Sequence, residues 1–193
     1  MADQVAFEAM NDVTIEPFDL SKRVAEALAV QAAAFGLSSE EVAVRLQIVG
    51  RHALLPGVRA FGAVQRSRPG GPERLVGFGY GMPNDRSHWW SSVIEPHLEA
   101  NGQGWWLDHS FSVTELHVHP DYQGLGFGRR IITTLCAGSG LPRTILSAID
   151  RETPARALYR SLGYRDLARQ VMFPNTAVPY AVMGAPLPFP PRP

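Results

Sequence analysis

The segment Glu115 to Arg130 constrains this chain more than any other. An alternating stretch, Glu115 to His119, runs into Gly124, Gly126 and Gly128 and then into Arg129 and Arg130. That order predicts a strand, a tight glycine loop and the basic first turn of a helix. The first amides of a helix have no intrahelical acceptor, and the helix dipole favours an anion beside them, so such a loop suits phosphate. The anion recognition has to be local, because Lys plus Arg and Asp plus Glu each number 18 and leave no net charge. Bulk attraction to nucleic acid or to an anionic membrane is therefore not expected.

At 193 residues with 45% hydrophobic and 19% charged content, the chain reads as one globular domain. The stretch 1–12 reads as a loose N-terminus rather than a signal or transit peptide, and no segment approaches the roughly 20 apolar residues of a membrane span. The lone Cys136 fits a reducing compartment, so a cytoplasmic protein is expected. On the apolar face of its helix, Cys136 reads as a buried structural thiol.

Along the chain, Val13 to Pro17 alternates as a strand, and Ser21 to Phe35 carries Val24, Leu28 and Phe35 at helical spacing. Ser38 and Glu41 form a capping box ahead of Val42, Leu46 and Val49. Val58 to Gln65 and Arg74 to Gly81, separated by Arg68 to Pro72, predict an antiparallel hairpin. Residues 83–109 hold all 4 tryptophans, in the pairs Trp89 with Trp90 and Trp105 with Trp106. This Trp-rich insertion reads either as an apolar wall over a cleft or as core filling, with a helix from Trp90 to Ala100 interrupted at Pro96.

The strand Phe111 to His119 changes apolar parity near Thr114, which predicts a bulge. A helix from Gly128 to Ala137 follows, then a strand from Thr144 to Ile149. Thr153 reads as an N-cap with Pro154 at the first helical position, and the helix Ala155 to Leu162 stops at Gly163. Strands Tyr164 to Phe173 and Tyr180 to Leu187 come last, and 188–193 is a proline-rich tail. The fold class is α/β, an α+β mixed sheet with its phosphate loop at the end of a central strand.

A nucleoside-triphosphate P-loop needs Lys and Ser or Thr after its last glycine, where this chain has Arg129 and Arg130. A dinucleotide fingerprint has different glycine spacing and repeating βαβ units, although Asp150 stands at a workable distance for a ribose contact. The six histidines show no zinc spacing, so no metal is expected.

Leu116, Val118, Pro120, Gln123, Gly126 and Gly128, followed by Ala155, Leu158, Tyr159, Gly163 and Tyr164, resemble the GNAT superfamily of acyl-CoA-dependent N-acetyltransferases. Gln123 to Gly128 matches the family's loop without a gap, and Leu158 to Tyr164 matches its later helix and aromatic. Glu152 stands where many members carry Asn. The resemblance implies a GNAT-like acyl-CoA N-acyltransferase fold, a mostly antiparallel central sheet with a splayed central strand, flanked by helices.

It implies acetyl-CoA as co-substrate, with the diphosphate on the amides of Gln123, Gly124, Leu125, Gly126, Phe127, Gly128 and Arg129. The pantetheine arm would pair with the backbone of Leu116, His117 and Val118, an N–H near Val118 would polarise the thioester carbonyl, and Ala155 and Leu158 would add contacts. Tyr159 is the candidate acid for the departing sulfur. Glu115 is the first candidate base, ahead of His117, with His119 and Asp108 after them. The acceptor would be a small-molecule or peptide amine; Asp85, Glu95, Glu99, Asp108 and Glu115 are the carboxylates available for a cationic one. Two rivals remain open, a non-catalytic acyl-CoA sensor and a transferase of another acyl group. By analogy the family also suggests a homodimer through Tyr180 to Leu187.

Overall fold

The computed structural model describes residues 12–66, 71–174 and 176–191. The expected N-terminal stretch therefore lies outside them up to residue 11, as do Arg68, Pro69 and Gly70 of the hairpin turn and the last two residues of the tail. The strands pair in the order β1-β2-β3-β4-β5-β7-β6, and the chain forms two compact units, one up to Gly81 together with Thr114–Leu135, the other Met82–Val113 together with the chain from Cys136 onward.

In the first unit, β1 (Val13–Pro17), β2 (Arg59–Arg66) and β3 (Glu73–Pro83) are antiparallel, with Val13 opposite Gln65 and Arg59 opposite Gly81. Helix α1 (Leu20–Phe35) starts on Asp19, whose carboxylate accepts the Ser21 N–H at 3.0 Å. It ends on Gly36, whose left-handed φ of 66° lets its N–H reach Ala32 O at 2.7 Å. Helix α2 (Ser39–His52) begins with the predicted capping box, Ser38 N–H to Glu41 at 2.8 Å and Glu41 N–H to Ser38 at 3.3 Å. Its expected apolar face is only partly used: Val49 is buried, but Leu46 is 45% exposed. Spacing is a local property, whereas burial requires a neighbour.

The core of this unit joins Val13, Ala63, Val76, Phe127 and Ile131, with Leu116, Val118, Tyr122 and Leu125 packed against it. Close approach depends on Gly79, where a Cβ would stand 2.9 Å from Ile131 and 3.1 Å from Leu116. The helix after the glycine loop is thereby seated tightly on the sheet.

In the second unit, the start of β4 (Ser110–Val118) pairs in parallel with β5 (Arg143–Ile149), Ser110 opposite Arg143 and Ser112 opposite Ile145. Strand β7 (Tyr180–Pro186) lies antiparallel between β5 and β6 (Arg165–Val171). Ser110 to Val113 are all buried in succession. A stretch covered on both faces accepts apolar residues of either parity, which accounts for the change of phase near Thr114.

The tryptophan segment supplies core to this second unit. Helix α3 (Trp89–Ala100) buries Ile94 and Leu98, and a 3-10 turn, Gly104–Leu107, buries Trp106 and Leu107 against Ile145, Leu167, Val171 and Val182. Contrary to expectation, α3 runs through Pro96 without interruption. Pro96 forfeits one helical hydrogen bond, and the burial of Ile94 and Leu98 on either side holds the helix together. Trp89 and Trp105 stay 59% and 48% exposed.

Candidate functional site

The glycine loop joins β4 to helix α4 (Phe127–Ala137) through a 3-10 turn, Pro120–Tyr122. Gly124 and Gly126 have φ of 77° and 82°, a left-handed backbone that a side chain would strain, and a Cβ at either position would meet nothing within 4 Å. That open space beside a helix N-terminus fits a phosphate group. The helix begins at Phe127, one residue earlier than expected, so Gly128 is a helical residue and only its backbone serves the loop.

Other loop side chains have structural roles. Phe127 is buried in the core, Leu125 packs on the same cluster, and the Tyr122 hydroxyl donates to Gln65 at 2.7 Å. The Gln123 amide donates to Val118 O at 3.0 Å, tying the loop back to the end of β4. Arg129 is half-buried, and the Arg130 guanidinium stands 5.6 Å from the Phe127 ring centre.

Along β4, Leu116 and Val118 pack inward as expected, and Glu115 and His117 share the opposite parity. Glu115 Oε2 lies 2.5 Å from His117 Nε2, and the Gln31 amide of α1 donates to the same oxygen at 3.1 Å. The His117 ring is buried between the edge of Phe35, 5.2 Å between centroids, and Phe78, at 5.4 Å. Nearby, the Tyr80 hydroxyl and His52 Nδ1 are 3.0 Å apart. Burial first, and the Glu115 charge second, push the Tyr80 phenol well above its ordinary value, so Tyr80 stays protonated. Gln31, Tyr80 and His52 were not among the sequence candidates. The one signal for Gln31 was a polar residue on the face of α1 that also carries Ala27 and Leu28.

The later motif lies in the second unit. Helix α5 (Pro154–Ser161) is capped by Thr153, which accepts the Arg156 N–H at 3.2 Å. Tyr159 is 8% exposed with its ring 5.6 Å from that of Tyr164, Leu158 is half-buried and Ala155 exposed. Glu152 is held by Arg160 at 2.6 and 2.8 Å, which keeps its carboxyl below the usual range.

The remaining sequence candidates are otherwise engaged. Arg86 pairs with both Asp108 and Glu95, and Asp85 accepts the Ser87 N–H at 2.8 Å, so these carboxylates do not form an uncompensated acidic cleft. His119 accepts the Asp121 N–H at 3.3 Å. Cys136 is buried with its sulfur 3.8 Å from Thr144 Oγ1, in keeping with a structural thiol. Among the described residues no group of three or more His, Cys, Asp or Glu could hold a metal ion, and no helix is long and apolar enough to cross a membrane.

The family model of the acetyltransferase (GNAT) domain matches residues 72–166, the span that holds both motifs. That span is a GNAT acetyltransferase domain. A GCN5-like protein acetyltransferase of Mycobacterium tuberculosis is 26% identical over 200 residues, covering 91% of this chain and 97% of the relative. Among solved structures, the ribosomal-protein-S18-alanine N-acetyltransferase of Escherichia coli superposes with a TM-score of 0.60 at 16% identity, covering 93% of this chain and 96% of that one. Salmonella typhimurium yncA, solved with its cofactor acetyl-CoA, gives 0.60 at 18% identity, covering 94% and 97%. At such identities the structural likeness establishes the fold. The enzyme is thus an acetyltransferase built on a seven-stranded, mostly antiparallel sheet flanked by helices.

Proposed function

We propose that this acetyltransferase moves the acetyl group of acetyl-CoA to a primary amine by direct attack in a ternary complex. The observation that carries the reading is the pair of left-handed glycines, Gly124 and Gly126, in open space before α4, on the same strand-loop-helix unit as Glu115. Backbone amides from Gly124 to Arg129 would hold the diphosphate, and the backbone of Leu116, His117 and Val118 would pair with the pantetheine amides.

Acetyl-CoA supplies the acyl group as an activated thioester. Glu115 takes a proton from the acceptor ammonium, so that a neutral nitrogen attacks. The new carbon–nitrogen bond forms as the carbon–sulfur bond breaks, and the Tyr159 hydroxyl gives its proton to the departing sulfur. The nitrogen then loses its second proton to solvent, Glu115 gives up the first and Tyr159 is reprotonated, so that one proton is released per turnover and the balance closes. A phenol of pKa about 10 is protonated at pH 7 and suits that role.

The relative named a protein acetyltransferase supports placing peptide amines first among acceptors, ahead of small amines. Cytoplasmic residence follows from the single Cys136 as an expectation of the same reading.

The test is thiol release from acetyl-CoA across a panel of peptides and small amines, beside calorimetry with coenzyme A. Wild type should turn over with at least one amine, and Tyr159→Phe should lose about a hundredfold in kcat with coenzyme A affinity unchanged. Tight binding with no turnover for any amine would favour an acyl-CoA sensor, and no binding at all would end the proposal.

A further inference from the structure

The Glu115–His117 pair is anchored by a residue that neither motif contains. Gln31 is 1% exposed in the second half of α1, and its Nε2 sits 3.1 Å from Glu115 Oε2 and 3.2 Å from His117 Nε2. We propose that Gln31 is a positioning residue for Glu115: with His117 it occupies Oε2 of the carboxylate and leaves Oε1 to take the acceptor's proton. The proposal rests on Glu115 as the base.

Proton accounting carries it. Two lone pairs do not face each other at the 2.5 Å between His117 Nε2 and Glu115 Oε2, so a proton lies between them; with Glu115 ionised, as a base must be, Nε2 is its donor. A side-chain amide nitrogen is also only a donor, so the 3.2 Å approach of Gln31 to His117 is two donors converging on one oxygen. Turning the Gln31 amide over would set its carbonyl against the carboxylate. The orientation present instead leaves Gln31 Oε1 buried with no hydrogen-bond partner. A buried carbonyl left unpaired is unfavourable, and it persists here because the donor to Glu115 outweighs it.

The surroundings hold that arrangement. Phe35 and Phe78 flank the His117 ring. Among the described residues, Tyr80 on β3 feels the Glu115 charge, and His52 and Arg45 on α2 act on Tyr80 in turn. Tyr80 is bonded to His52, and Arg45 opposes part of the upward push on its phenol. The protonated Tyr80 adds no competing negative charge beside Glu115.

Gln31→Met keeps the volume and removes the donor. In 15N-histidine-labelled protein near pH 7, wild-type His117 should show a hydrogen on Nε2 that exchanges slowly, and in Gln31→Met that exchange should speed up at least tenfold. A carboxylate that loses a donor holds its proton more tightly. The acid limb of kcat/KM against pH should therefore move upward and kcat should fall about tenfold, with coenzyme A affinity unchanged. Gln31→Glu, which replaces the donor with an acceptor, should move the limb further in the same direction and serves if Gln31→Met does not fold. An unchanged His117 signal and pH profile in a variant that still turns over would overturn the role of Gln31. Failure of wild type to release thiol with any amine would instead overturn the transferase reading, whatever the imidazole signal shows.

Discussion

Arg156 is a fully buried cation, 0% exposed, and its neighbours explain why it is tolerated. Its guanidinium donates to Asp166 at 2.8 and 2.9 Å and to Asp150 at 3.2 Å. Asp150 in turn accepts from Arg169 at 2.7 Å and from the backbone and side chain of Gln170 at 3.0 and 2.7 Å. Burial alone would push the Asp150 carboxyl up, but the bonds from Arg169 and Gln170 outweigh it and hold it below the usual range. A depressed folded pKa contributes stability that is complete above the unfolded value, about 3.9, and is lost as pH falls through the folded one. Asp150→Asn should destabilise the protein by about 3–5 kcal/mol at pH 7, because it strips a partner from a buried cation. Urea melts from pH 7 down to pH 3 test both parts: the gap between wild type and variant should be widest at neutral pH and narrow in acid. Equal stability at pH 7 would deny the network its role. Nothing in the sequence marks Arg156 as buried, and Gln31 shows only its place on the face of Ala27 and Leu28, because its partners Glu115 and His117 stand 84 and 86 residues away. The tight turn at Gly124 and Gly126 was legible because a left-handed backbone is set locally.

Elements divide along the same line. The α2 capping box, the β2–β3 pairing and the Thr153 cap were readable, because each is decided within a few residues or by strict alternation. The continuity of α3 was not, since it is decided by what packs on Ile94 and Leu98. Pro96 is exposed, so Pro96→Ala removes little packing and returns an N–H to the helix. The helix gains up to about 3 kcal/mol from replacing an interior proline, while the unfolded chain regains freedom worth about 0.4–1 kcal/mol. The first effect wins, and the variant should be more stable by about 1–2 kcal/mol in urea. A loss of stability would mean that α3 bends at Pro96 in a way its packing requires. The glycine loop responds oppositely: Gly126→Ala forces a side chain into a left-handed backbone at about 1–2 kcal/mol, and its methyl enters the space assigned to phosphate. Stability and coenzyme A affinity should fall together, with affinity down at least tenfold by calorimetry.

For the whole molecule, ligand binding and folding are one linked equilibrium. The glycine loop proposed to hold the diphosphate exists only in the folded chain, because its left-handed glycines and the N-terminus of α4 are set by the packing of Phe127 and Ile131 on Val76 and Ala63. A ligand that binds there and not to the unfolded chain stabilises by RT ln(1 + [L]/Kd), about 2.7 kcal/mol at a hundredfold excess over Kd. For a chain of 193 residues that corresponds to a rise of about 5–10 °C in Tm. Equal numbers of basic and acidic residues, 18 each, leave no net field to hold polyanions in general. On the proposed reading, inorganic diphosphate at the same concentration should give a much smaller shift than coenzyme A, whose pantetheine arm would add backbone pairing along β4. Gly126→Ala should abolish most of the coenzyme A shift while remaining folded in its absence. Equal shifts from coenzyme A and from an unrelated polyanion such as heparin would mean that charge alone is being read, and the assignment of the loop would fail.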